Sequence, residues 1–270
     1  MTAPRRITAG AGWWTDFFDE DFAALWLRDE RSCETEARTT GLMRVLGLRP
    51  GDRVFDQCCG DGRVALPLVA RGVHVEGVDG ARGYITRARA RTASLPTESS
   101  ATARFESGDA FVYVPRAPCH AAINWYTSFG YVEDDTRNLA MLRAAYAALK
   151  PGGRFALDYP DVDRVRAHFR PRTVRARDTP DGSLMAVREA TLDEARGMLV
   201  DRWTFSAPAG IRRVSTGETR LFSREELDAL LRAAGFDIVR PVAPAEVGYP
   251  ADAGRWILLA KRPERGGERA

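Results

Sequence analysis

Residues 53–79 read RVFDQCCGDGRVALPLVARGVHVEGVD, and this stretch decides the fold. Val54 and Phe55 open a buried parallel strand. Gly60 and Gly62 let the backbone turn tightly, and Val64, Leu66, Leu68 and Val69 give a short helix its apolar face. The first N–H groups of that helix point into a crevice. A second strand from His74 to Val78 carries Asp79 to the same carboxyl edge, about 20 residues after the turn, where a carboxylate accepts hydrogen bonds from both hydroxyls of a ribose. These parts together outline a nucleotide-binding crevice. The plain alternative is a βαβ unit without a ligand.

The residues before the turn separate two cofactor classes. Gly60-x-Gly62-x-x-Ala65 on its own satisfies a loose dinucleotide fingerprint. Asp56, however, ends the first strand with a negative charge where a pyrophosphate would lie, and so suits a cationic ligand. Here the chain resembles the class I S-adenosylmethionine-dependent methyltransferases, whose acid-x-Gly-x-Gly-x-Gly turn is matched by Asp56, Cys58, Gly60 and Gly62, with cysteine in place of the first glycine. The resemblance implies S-adenosyl-L-methionine as cofactor. It puts Asp56 close to the methionine moiety, lets Cys58, Gly60 and Gly62 permit the cofactor's approach, and sets Asp79 and Gly80 at the ribose. Cys58 is expected at negative φ, since a strand end accommodates a small side chain. Asp61 is expected to add negative charge beside the sulfonium.

Composition narrows the partners. A chain of 270 residues with 44% hydrophobic content can build one large domain, or a core with an elaboration. No apolar run is long enough to cross a bilayer and the first residues hold no signal-type segment, so a cytoplasmic location and no membrane partner are expected. The formal charge is +3, and Lys150 and Lys261 are the only lysines. Arg87, Arg89 and Arg91 stand in a chain with interspersed acids and no arginine–aromatic stripe, so no nucleic-acid partner is expected. Four cysteines and three histidines show no metal-ligand spacing, and no metal is expected. Cys58 and Cys59 read as small packing residues of the turn.

The rest of the chain arranges around this unit. Residues 1–50 read as an N-terminal helical cap, with Trp13, Trp14, Phe17, Phe18, Phe22 and Trp26 at helical intervals and a second helix from about 34 to 46. In related methyltransferases such helices close over the cofactor; the alternative is core packing. Residues 51–169 form the cofactor-binding core. Its helix from Arg82 breaks at Leu95-Pro96, a polar loop follows over 97–101, and a third strand leads to Asp109 and Ala110, which the resemblance sets against the adenine. A fourth strand ends at Asn124, also expected at the cofactor. Ser128-Phe129-Gly130-Tyr131 resembles a segment of small-molecule methyltransferases, and no prolines follow Asn124 as they do in enzymes that methylate adenine or glutamine amides. Lys150-Pro151-Gly152-Gly153 before the fifth strand is a second match. Residues 170–221 carry four β-prone stretches, punctuated by Pro180-Asp181-Gly182 and two further turns, and read as an inserted antiparallel sheet serving as a lid or a homodimer element. Residues 222–262 supply a helix with Ser223 and Glu226 at capping-box spacing and an edge hairpin, and 263–270 a disordered tail. The expected fold class is α/β: a doubly wound, seven-stranded Rossmann-like methyltransferase sheet with an antiparallel terminal hairpin, N-terminal helices and the inserted sheet.

Methyl transfer from a sulfonium is an in-line displacement, so the protein chiefly aligns the nucleophile and excludes water. Tyr126, His168 and Asp158 are candidates for removing a proton from the acceptor. Trp14, Phe18, Tyr131, Tyr159, Trp203 and Arg220 are candidates for contacting it. The acceptor is expected to be a small molecule, methylated on N or O; no residue names it. Two rival readings stand beside this one: the same fold with non-methylating chemistry or no cofactor, and an NAD-dependent oxidoreductase.

Overall fold

The computed structural model describes residues 5–7, 12–27, 32–94, 101–179 and 182–264. In chain order its elements begin with β1 (Arg5–Ile7), α1 (Trp14–Phe17), α2 (Glu20–Phe22), a π turn over Ala23–Leu27 and α3 (Ser32–Leu46). There follow β2 (Arg53–Gln57), α4 (Ala65–Ala70), β3 (His74–Asp79), α5 (Arg82–Ala93), β4 (Ala103–Ser107), β5 (Cys119–Asn124), α6 (Asp135–Ala148) and β6 (Leu149–Pro160). The last part comprises α7 (Val162–Ala167), β7 (Arg172–Thr179), β8 (Gly182–Asp193), β9 (Met198–Ala207), β10 (Gly210–Arg220), α8 (Arg224–Ala233), β11 (Asp237–Val242), a 3-10 turn over Pro244–Val247 and β12 (Arg255–Lys261). The break at Leu95-Pro96, loop residues 97–100, Pro180, Asp181 and tail residues 265–270 lie outside the described residues.

Two compact units form. The core unit takes its described residues from Arg31–Phe129, Asp134–Asp161 and Ser223–Ala270. Its seven-stranded sheet has the order β11-β12-β6-β5-β2-β3-β4. From β6 to β4 all pairs are parallel, while β12 runs antiparallel to both β6 and β11. The chain winds outward from β2 through β3 and β4, then crosses back to β5 on the other side of β2, so the carboxyl ends of β2 and β5 flank the topological switch point. Register places Gln57 beside Asn124 there. Val54, Phe55, Ala121, Ala122 and Ile123 are fully buried, as strands covered on both faces require. Lys150-Pro151-Gly152-Gly153, expected as a turn before the fifth strand, lies inside β6 as an irregularity: Cys119 pairs with Leu149 and Ala121 already with Arg154. The proline has no N–H to give a ladder, so extruding this segment preserves pairing on either side. Ser223 and Glu226 form the expected capping box, Ser223 Oγ accepting from the Glu226 N–H at 3.1 Å and Glu226 Oε2 from the Ser223 N–H at 2.7 Å.

The second unit takes its described residues from Met1–Glu30, Gly130–Glu133 and Val162–Phe222. Strands β7 to β10 form the expected antiparallel meander, and the three-residue β1 adds a parallel strand beyond β10. Residues 1–50, expected as one helical cap, are thus shared: β1, α1 and α2 belong with this sheet, while α3 sends Leu42, Val45 and Leu46 into the core unit. Trp13, Phe17, Leu25, Leu184, Ala186 and Phe205 make a buried cluster. Gly217 faces this cluster because a Cβ there would lie 2.8 Å from the Trp13 ring.

In the core unit α3 approaches the 3-10 turn backbone to backbone at Gly41. A Cβ at that position would sit 2.5 Å from Val247 Cα and 2.6 Å from the Glu246 carbonyl oxygen. Gly41→Ala is therefore expected to cost about 1–3 kcal/mol in thermal unfolding. Gly83→Ala in α5, where nothing lies within 4 Å, should instead stabilise by about 0.5–1 kcal/mol. Equal effects of the two would contradict this packing.

Candidate active site

Asp79 ties the glycine turn to the sheet. Its Oδ2 accepts from the Gly60 N–H and its Oδ1 from the Ala81 N–H, both at 2.8 Å. Gly80 lies between these anchors, and the Gly60 amide that a pyrophosphate would use is already occupied. Each carboxylate oxygen keeps a further lone pair, which a ribose hydroxyl can use. Gly60 and Gly62 have φ of +55° and +80°, the left-handed region that glycine enters without cost to a side chain. A Cβ at Gly60 would meet only Tyr84, at 3.9 Å. The backbone there is open to close approach by a ligand.

Cys58 departs from expectation. Its φ is +62°, so the turn takes a left-handed, glycine-type conformation despite the side chain, at a cost of about 1–2 kcal/mol. The position does not end the strand in extended conformation; β2 stops at Gln57 and the chain bends at once. Enclosure by protein, then the charges of Asp79 and Asp56, push the Cys58 thiol well above its usual range. Cys59 is raised in the same way by burial, Asp56 and Asp79. Neither sulfur is a thiolate nucleophile at neutral pH.

Asp56 is 3% exposed, and among the described residues its buried Oδ2 accepts no hydrogen bond. Burial, with the Asp79 charge adding to it, pushes this carboxyl up to about 8. On the neighbouring strand Asn124 is fully buried, its Nδ2 donating to Gln57 Oε1 at 3.3 Å while Oδ1 also lacks a partner among the described residues. Asn124 pairs in register with Gln57, so its side chain lies on the face of the sheet opposite that of Asp56; the buried Asp56 Oδ2 by itself suits a cation or an N–H donor. The residues present therefore fit the amino group of S-adenosyl-L-methionine. Sequence reasoning missed Gln57. Its Nε2 donates to the Ala110 carbonyl at 2.9 Å and the Met141 carbonyl at 3.0 Å, fixing the loop after β4 to β2. Asp109 is exposed and its Oδ1 accepts from the Phe111 N–H at 2.9 Å, while Ala110 is buried. Asp61 pairs with Arg91 at 3.1 Å and approaches Arg87 at 3.9 Å, so it does not add the net negative charge expected of it.

The proton-acceptor candidates are placed differently from one another. Tyr126 follows the end of β5, and its N–H donates to Asp158 Oδ2 at 3.0 Å. Asp158 is fully buried and also accepts from the Tyr249 hydroxyl at 2.7 Å and from Arg255 Nε. Three donors on two oxygens make it an internal ion-pair member, in place of the cleft base expected. His168 is exposed and belongs to the second unit. Among the acceptor candidates, Tyr159 is fully buried edge-on to Phe129, centroids 6.2 Å apart, and is core. Arg220 donates to the Gly197 and Leu221 carbonyls at 3.3 and 3.0 Å, bracing the second unit's own backbone. Trp14, Phe18 and Tyr131 meet one another in that unit, with Phe18 and Trp14 centroids 5.7 and 6.4 Å from Tyr131. Trp203 is half-buried against Phe17 and Trp26 at 5.7 and 5.2 Å.

Residues 27–240 match the methyltransferase domain family. The chain belongs to that family. It is 36% identical over 120 residues to an S-adenosyl-L-methionine-dependent Diels-Alderase, iccD, from Talaromyces variabilis, a match covering 43% of this chain and 39% of that relative. The chain thus spans less than two fifths of that relative's length. Among solved structures, the CcbJ methyltransferase from Streptomyces caelestis aligns with TM-score 0.69 and 19% identity, over 85% of this chain and 90% of that one. An amino pentose methyltransferase of calicheamicin biosynthesis from Micromonospora echinaspora, solved with SAM bound, aligns with TM-score 0.66 and 24% identity, over 91% and 98%. The cofactor expected from the sequence, S-adenosyl-L-methionine, is the one that family membership supports. Among the described residues no helix is long and apolar enough to cross a membrane, and no group of three or more His, Cys, Asp or Glu is arranged to hold a metal ion.

Two predictions follow from the turn. The raised Asp56 carboxyl favours the folded chain fully below its ordinary value of 3.8, and that advantage is lost as pH rises through about 8. Asp56→Asn should flatten the fall in cofactor-free stability between about pH 4 and 8. In the wild type, a cation seated on Oδ2 ionises Asp56, so calorimetry at neutral pH in buffers of different ionisation heat should show release of about one proton per cofactor. The variant should release none. Separately, Cys58→Gly should relieve the left-handed strain and raise stability by up to about 1 kcal/mol, measured by denaturant unfolding.

Proposed function

We propose that this chain transfers a methyl group from S-adenosyl-L-methionine to nitrogen or oxygen of a small molecule. The observation that carries the reading is the buried Asp56 Oδ2, without a hydrogen-bond partner among the described residues, at the switch point on the same face of the sheet as the Asp79 carboxylate. When bound, the cofactor supplies an electrophilic methyl carbon on a sulfonium. Asp56 would receive its amino group, Asp79 its ribose, and the loop at Asp109 and Ala110 its adenine, with Asn124 supporting that loop from the other face through Gln57. Gly60 and Gly62 would let the backbone come close. Such transfer needs an aligned acceptor and a dry crevice more than a covalent residue. Tyr126 is the proton-acceptor candidate retained on the core unit. Trp14, Phe18, Tyr131 and Trp203 are proposed as acceptor contacts, since aromatic faces bind flat or cationic small molecules well. Small amines, amino sugars and natural-product intermediates are the acceptor classes we favour, in line with the amino pentose named for one structural relative.

A second reading keeps the cofactor and changes the chemistry. It draws on the match to a Diels-Alderase, which also names S-adenosyl-L-methionine, and on the fact that one fold hosts many reactions. Incubation with isotopically labelled methyl donor and extract of the source organism separates the two. Label in a small molecule supports methyl transfer; saturable binding without label supports the second reading. Asp79→Ala should weaken cofactor binding about 10- to 100-fold by calorimetry, as expected for loss of a charged bidentate acceptor. Unchanged affinity would remove Asp79 from the site.

A further inference from the structure

We propose that Asp158, Arg255 and Tyr249 form a positioning clamp that holds Tyr126 and Thr127 in left-handed conformations and so fixes one wall of the cofactor crevice. The crevice half of this inference rests on the cofactor reading above.

Tyr126 and Thr127 have φ of +59° and +60°. Two successive residues with β-carbons are rarely left-handed, and persist there only when their surroundings over-determine them. Asp158 supplies that restraint from β6. Its Oδ2 accepts from the Tyr126 N–H at 3.0 Å and its backbone oxygen from the Thr127 N–H at 3.3 Å. Arg255, from β12, divides its fork: Nε donates to Asp158 Oδ1 and Nη2 to Thr127 Oγ1 at 2.7 Å. Tyr249 completes the carboxylate's partners at 2.7 Å and stacks on Trp125, centroids 6.3 Å apart and planes 19° from parallel. Both strained residues are therefore held through the amide, and Thr127 through its hydroxyl as well.

The clamp reaches the glycine turn through the Tyr126 ring. The Arg63 guanidinium lies 3.8 Å from that ring's centroid, and Arg63 directly follows Gly62. A relaxed backbone at Tyr126 would carry the ring away from Arg63 and loosen the link between the end of β5 and the turn after β2. Two of its members, Tyr249 and Arg255, also stay in one charge state. Burial and the Asp158 charge raise the Tyr249 hydroxyl far above neutrality, and Arg255 is raised by Asp158 against the opposing effect of burial.

The test uses the full chain with Arg255→Ala, Arg255→Ala/Thr127→Gly and Tyr249→Phe, reading amide exchange at residues 126 and 127 by NMR and S-adenosyl-L-methionine affinity by calorimetry. Arg255→Ala should speed both amides and weaken the cofactor, each about tenfold, with circular dichroism unchanged. Adding Thr127→Gly should restore most of the affinity, because glycine holds positive φ without a clamp. Tyr249→Phe should give a smaller loss of about threefold. A folded Arg255→Ala chain within about twofold of wild type, or no recovery with Thr127→Gly, would overturn the proposal. If Arg255→Ala does not fold, Tyr249→Phe decides, and unchanged exchange and affinity there overturn it. Wild-type chain that binds no cofactor would refute the cofactor reading and the crevice half together, whereas exchange still decides whether the clamp holds the strained pair.

Discussion

Two carboxylates meet at the carboxyl edge of the sheet, the buried Asp56 on β2 and the half-buried Asp79 on β3, and the surrounding structure answers that constraint. Asp79 is solvated by protein, since the amides of Gly60 and Ala81 stand where water would. This forces the glycine turn into its left-handed path and draws even Cys58 along with it. Among the described residues Asp56 Oδ2 has no such replacement, and its proton affinity is raised. A charge left half-solved in this way is costly to the empty fold and valuable to a cationic ligand, the usual trade between stability and function at binding sites.

What was legible in the sequence was local. Strand, turn, helix and edge acid lie within 27 residues, and periodicity with two glycines is enough to place them. The inserted meander and the Ser223 cap were legible for the same reason. The partners of Asp158 were not, because Tyr249 and Arg255 are 91 and 97 positions away and reach it only through the pairing of β12 with β6. Asp158 thus read as a cleft acid when topology had already brought three donors to its two oxygens. Tyr159 and Arg220 were misassigned similarly, since an aromatic or an arginine near a strand end carries no mark of whether it faces a ligand or its own fold. Cys58 failed on backbone grounds: nothing in residue type announces a left-handed cysteine, and the glycine it replaces was the better guide to its φ.

The near absence of lysine has a structural side. Arg213 is 2% exposed, donating to the Phe17 carbonyl, Ser215 and Asp19 while lying 4.0 Å over the Phe205 ring. Arg262 reaches the Tyr146 and Leu149 carbonyls at 3.2 and 2.6 Å, and Arg89 places two nitrogens on the Phe105 carbonyl. Each use needs a planar fork that hydrogen-bonds in several directions and stacks on a ring, which a lysine ammonium does not provide. Whatever biased the chain towards arginine, the fold has spent that bias on bracing its own backbone.

The pairing of β12 between β6 and β11 has a consequence for how the chain is made. Lys261 must find Arg154 across more than a hundred residues, and the whole meander of β7 to β10 leaves the ribosome before β12 does. At a synthesis rate of about 5–20 residues per second, β6 therefore waits seconds with an unpaired edge while the meander, whose contacts join neighbours in sequence, is free to fold first. During that interval the nascent core is an open sheet edge of Phe155, Ala156 and Leu157, and the growing polypeptide is then most exposed to mispairing with another copy of itself.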